Sequence, residues 1–84
     1  MKDYRKLKDL LERLAKELTK IGLSSVEYKM LLDDIHEACI SNDDDKLKNI
    51  YDLMVSCLND VDYIEQATQS RINNLLYKIK SEIH

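Results

Sequence analysis

Residues 44–83 read DDKLKNIYDLMVSCLNDVDYIEQATQSRINNLLYKIKSEI, and their reading decides the fold. The stretch holds neither Pro nor Gly. On a wheel of 3.6 residues per turn, Leu47, Ile50, Tyr51, Met54, Cys57, Leu58, Val61, Ile64, Ile72, Leu75, Leu76, Ile79 and Ile83 fall within about 140°. Only Asn59-Asp60, two weak helix formers, interrupts the run. The stripe turns polar at Glu65, Thr68 and Gln69. The unbroken phase predicts one long helix over about 44–82, nearly 60 Å at about 1.5 Å per residue. The alternative is a break near Asn59, which folds the second half back and closes a four-helix bundle.

The residues before this stretch form a helical hairpin. Tyr4, Leu7, Leu11, Leu14, Leu18 and Ile21 step by alternating threes and fours, widened by Leu10 and Ala15, and predict a helix over 2–21. Lys8–Glu12, Asp9–Arg13, Glu12–Lys16 and Arg13–Glu17 stand at i,i+4 on its polar side. Gly22 suits the left-handed position that ends a helix, with Leu23 packing back on Leu18. Ser24-Ser25-Val26-Glu27 is a capping box, with Leu23 and Tyr28 placed as its hydrophobic staple. The second helix, about 25–40, buries Tyr28, Leu31, Leu32, Ile35, Ala38 and Cys39 and leaves Val26, Met30 and Ile40 on the opposite face. Ser41 or Asn42 caps the third helix, and Asp43, Asp44 and Asp45 sit at the positive end of its dipole.

Composition agrees with an all-α single domain spanning 1–84. The chain has 84 residues, 44% of them apolar, with no Pro and one Gly, too few turn formers for a β fold. A core this small leaves little room for a deep active site. No apolar run reaches the 18 to 20 or so residues that span a bilayer, and the charged start lacks a signal-peptide core. Cys39 and Cys57 form no CxxC pair, which fits reduced thiols in the cytoplasm.

The net charge is −3, unevenly laid out. Residues 1–21 carry seven basic and four acidic groups, and residues 66–84 are net +2. Residues 22–65 carry eleven acidic groups against three basic ones.

His36, Cys39, Cys57 and His84 make a Cys₂His₂ set by count, but metal modules bring ligands in close pairs. In a simple hairpin Cys39 and Cys57 lie roughly 18 Å apart, so both read as core thiols. Asp43-Asp44-Asp45 lacks the alternation and glycine of a calcium loop and reads as helix capping. Asp33-x-x-His36 is half of a di-iron pattern with no second copy. One Gly makes neither a phosphate loop nor a nucleophile elbow. No enzyme, cofactor, metal or small-molecule substrate is expected.

The corner from Leu18 to Ser25 has the outline of a DNA-reading helix-turn-helix, with Ser24, Ser25, Val26, Lys29 and Met30 toward the groove. Glu27, Asp33, Asp34 and Glu37 on the same helix would meet phosphates with net repulsion. Nucleic acid is therefore the lesser alternative. The Lys2, Arg5, Lys6 and Lys8 cluster reads as a solvated face interleaved with acids.

This short, helical, motif-free chain, rich in Ile, Asn and Lys, resembles the small accessory proteins of bacteria and large phages. The resemblance implies a regulator or inhibitor that binds and restrains one partner, and it places no functional residue. A long third helix would leave Ile72, Leu75, Leu76, Ile79 and Ile83 exposed as an interface, for a homodimer or for a helix of another protein. Val26 and Met30, an apolar i,i+4 pair on an acidic face, form a second docking spot.

Overall fold

A computed structural model describes residues 2–83 as four helices: α1 (Tyr4–Thr19), α2 (Ser25–Ile40), α3 (Asp44–Asn59) and α4 (Gln66–Ile83). The two N-terminal turns carry explicit stop signals. Gly22 has φ +121°, and the Leu23 N–H donates to Leu18 C=O at 3.1 Å, closing the six-to-one bond of a Schellman end. Ser24 Oγ accepts from the Glu27 N–H at 3.1 Å, while Glu27 Oε1 accepts from the Ser24 N–H at 3.4 Å. The capping box therefore stands as the sequence predicts.

The second turn repeats the device with a different residue. Asn42 takes φ +53°, and the Asp43 N–H donates to Ala38 C=O at 2.9 Å. Asp43, rather than Ser41 or Asn42, is the N-cap of α3: its carboxylate accepts from the Lys46 N–H at 3.0 Å. Asn42 is consumed by the stop, so the cap moves one residue on. Asp44 and Asp45 fill the first turn, where the helix dipole favours negative charge.

The third connection corrects the single helix expected over 44–82. The chain leaves α3 at Asn59 and enters α4 at Gln66. Asp60 and Val61 donate to Cys57 and Leu58 carbonyls, an i→i+3 tightening that ends α3. The intervening Asp60-Val61-Asp62-Tyr63-Ile64-Glu65 is made mostly of weak helix formers. What outweighs the propagation of one helix is burial. Folding back places Ile72 and Ile79 at 0% exposure and half-buries Leu75, Leu76 and Ile83 against the core. A fully buried aliphatic side chain contributes about 1.5–3 kcal/mol, so α4 is worth more folded than extended.

α1 is the hub. It packs against α2, α3 and α4, and α2 and α4 do not touch. Leu7, Leu10, Leu11, Leu14, Ala15 and Leu18 are all buried, which is why the apolar stripe of α1 is wider than a two-helix seam. Met54, Leu47 and Ile35 meet them from α3 and α2. The bundle measures 36 × 26 × 17 Å. One end is tied by Tyr4 Oη donating to Asp44 Oδ1 at 2.7 Å, Lys2 pairing with Asp44 at 3.1 Å, and Lys6 pairing with Glu82 at 3.0 Å. No helix is long and apolar enough to cross a membrane.

Candidate protein-binding groove

The interface stripe expected on the C-terminal segment does not exist as a free surface. Ile72 and Ile79 are core, and Leu75, Leu76 and Ile83 pack against it. The reason is the turn after Asn59, which gives α1 the partner that an extended helix would have sought elsewhere. The other predicted spot is placed differently. Val26 and Met30 on α2 are 68% and 61% exposed, and Leu53 on α3 is 57% exposed.

Met30 and Leu53 flank a groove of about 220 Å³ between α2 and α3. Leu23, Leu31, Met54 and Cys57 line it, and Glu27 and Asp34 bring carboxylates. Helical spacing accounts for this. Glu27, Met30, Leu31 and Asp34 lie at i, i+3, i+4 and i+7, one edge of α2, while Leu53, Met54 and Cys57 hold the matching edge of α3. The Lys46–Glu37 pair at 3.5 Å bridges the two helices as well. The groove is below the roughly 300–1,000 Å³ typical of small-molecule pockets. Its two methionines and aliphatic walls suit side-chain anchors from another chain.

Leu53 was not singled out by its sequence. It falls off the α3 stripe, and only the packing of α3 beside α2 sets it across from Met30. Ile40, Tyr63 and Tyr77 are also exposed, each outside this groove.

The crevice between α1 and α4 is basic. Arg13, Lys16, Arg71 and Lys78 surround a depression between α1 and α4, with Glu17 at its base. Glu17, expected to pair with Arg13 on the surface, is buried and accepts from Arg71 Nε at 2.7 Å. Lys20 lies 3.3 Å from each of its oxygens. The hydrogen bond from Arg71 holds the Glu17 carboxyl below its usual range, against the opposing effect of burial. Arg71 also donates to the Thr68 hydroxyl at 3.0 Å, so this network pins α4 to α1. The hydrogen bond from Tyr4 lowers Asp44, helped by Lys2, and raises Tyr4 in turn.

The residues weighed as metal ligands do not converge. Cys39 is buried, and burial raises its thiol pKa. Cys57 is half-buried beside the groove, and His36 is exposed on α2. His84 lies outside the described residues. Among the described residues no three His, Cys, Asp or Glu side chains group as a metal site. The DNA-reading face proposed for α2 exposes Glu27, Asp33, Asp34 and Glu37 against Lys29.

No protein-family model, curated protein or solved structure matches this chain.

Proposed function

We propose that the chain is a non-enzymatic, cytoplasmic protein-binding bundle, an accessory regulator that acts by occupying one partner protein. The observation that carries this reading is the exposed pair Met30 and Leu53 on an apolar groove between two helices, with Val26 exposed one turn before Met30 on α2. Isolated exposed apolar residues are ordinary, but two on the walls of one groove favour a contact surface.

The case for a homodimer rested on an exposed α4 stripe, and that stripe is internal. Two copies pairing through the groove itself would set Glu27 and Asp34 against their equivalents. The reading therefore favours a different protein as partner. Photo-crosslinking in cells of the source organism tests it, with a benzophenone side chain at Met30 and, separately, at Tyr77 as an exposed control. A protein adduct formed from the Met30 position alone is expected. Identical products from both positions, or none from either, would overturn the reading.

A further inference from the structure

We infer that the groove between α2 and α3 receives a basic amphipathic helix of another protein, its apolar side chains between Met30 and Leu53, its Lys or Arg groups on Glu27 and Asp34. This rests on the protein-binding reading and adds the chemistry of the partner.

Charge chooses the occupant. None of the residues lining the groove is basic, and the two charged ones are both carboxylates. The segment that contains them, residues 22–65, carries eleven acidic groups against three basic ones. Lys46, from the facing helix, is already paired with Glu37 at 3.5 Å. Asp34 enters none of the ion pairs among the described residues. Glu27 is held in place by the capping box through Oε1, so a cation reaching it meets a carboxylate already oriented.

Spacing chooses a helix. Glu27 and Asp34 are seven residues apart on α2, about 10 Å along its axis. A partner helix lying along the groove presents residues at i and i+7 over the same span, so one basic edge matches both carboxylates. The apolar floor of Leu31, Met54 and Cys57 beneath Met30 and Leu53 takes anchors at i, i+3 or i+4, the pattern of helix-in-groove recognition. Methionine walls adapt to differing anchors.

A second copy of this chain does not supply such a helix. The Leu residues of the basic α1 are buried, and the only large apolar side chain exposed on the basic α4 is Tyr77. An occupant with both a basic edge and an apolar stripe comes from elsewhere.

The test is an amide-resolved NMR titration of the full chain with two Ala-based helical peptides. Both carry the same Leu stripe at i, i+4 and i+7; one has Lys along its flanks and the other Glu. The Lys peptide is expected to shift the amides of Met30, Asp34, Leu53 and Cys57 saturably. Glu27→Lys with Asp34→Lys should weaken it by about tenfold, the sum of two rim charge reversals. Met30→Asp with Leu53→Asp should abolish it. Both positions are exposed, so circular dichroism should show intact helices; Asp34→Asn alone supplies the milder variant should the doubles lose structure. Tighter binding of the Glu peptide in the same groove would overturn the basic occupant and leave the protein-binding surface standing. Groove amides unmoved by either peptide would overturn both. A dimer by light scattering that Met30→Asp with Leu53→Asp dissociates would overturn the foreign partner in favour of a second copy.

Discussion

Ile79→Ala and Leu53→Ala remove the same number of carbons from two helices of one bundle, and the fold dictates very different costs. Ile79 is 0% exposed and Leu53 is 57% exposed. Truncating a sealed Ile costs the transfer free energy of the lost carbons and the cavity left behind, about 3.5 kcal/mol within a 2–5 range. Leu53 buries less than half of its surface, so its truncation forfeits about 0.9 kcal/mol of burial, and slightly less after the better helix propensity of Ala. An 84-residue chain has an unfolding entropy of about 0.18 kcal/mol per kelvin near its midpoint. Ile79→Ala should therefore lower Tm by about 20 °C, and Leu53→Ala by about 4 °C. Thermal melts followed by circular dichroism at one concentration measure both. Total stability for this length is about 4–12 kcal/mol, so the loss at Ile79 is a large share of it, and the melts start at low temperature. Equal small losses at both positions would mean that α4 does not seal the core, and the folded-back bundle would be refuted. The outcome also decides between bundle and extended rod, because in a rod Ile79 would be as dispensable as Leu53.

Other perturbations test the remaining joints. Glu17 has a folded-state pKa below its unfolded value, so its pairing stabilises the fold above the unfolded pKa and is lost as pH falls through the folded one. Urea titrations at pH 7 and about pH 3 should show a smaller acid loss for Glu17→Gln than for the parent chain; identical losses would remove Glu17 from the pH dependence. Gly22→Ala meets no atom within 4 Å, so its cost is conformational alone, about 1–2 kcal/mol at φ +121°, read from the same urea midpoints. No loss there would show the turn relaxing to another conformation. Cys57 should react with iodoacetamide faster than Cys39, whose thiol is buried and raised, and a helix in the groove should slow Cys57 alone.

The hairpin was legible because its signals are local. Gly22, Ser24 and Glu27 each act within five residues, and the structure realises each of them. The α1 stripe was legible for the same reason, since periodicity reports which face a helix buries. Periodicity is silent on whether two helical segments are one. The stripes of α3 and α4 share a phase across six non-helical residues, so a common phase does not establish a continuous helix. Asn59-Asp60 marks where α3 ends, whereas of the polar residues Glu65, Thr68 and Gln69 the last two lie inside α4, with Thr68 buried and hydrogen-bonded to Arg71. Glu17 was misassigned to Arg13 because an i,i+4 partner is visible along the sequence and Arg71, 54 residues away, is not. Of the exposed groove residues, Met30 could be read from the wheel of α2, together with its exposed neighbour Val26 outside the groove. Leu53 belongs to it only through the register between α2 and α3.

The same packing sets this groove apart from the basic depression. Crevices lie where α2 meets α3 and where α1 meets α4, among others. The α1–α4 crevice is crossed by charge-assisted contacts, with Arg71 on Glu17 and Lys20 beside it, and its rim is basic. The α2–α3 crevice has a single bridge, Lys46 to Glu37 at 3.5 Å, and below it Met30 and Leu53 stand apart with water-facing apolar surface. Replacing Met30 by Glu and Leu53 by Lys would offer the fold a second bridge of the exposed kind, worth about 0.2–1 kcal/mol. The same exchange forfeits about 1.7 kcal/mol of partial burial at the two positions. The apolar pair therefore stabilises the bundle only slightly while leaving more than half of its surface to water. A variant with both substitutions should lower Tm by only about 4–8 °C while losing the helical-peptide titration. A fall of more than about 15 °C would instead make Met30 and Leu53 structural, and the groove a seam of the fold.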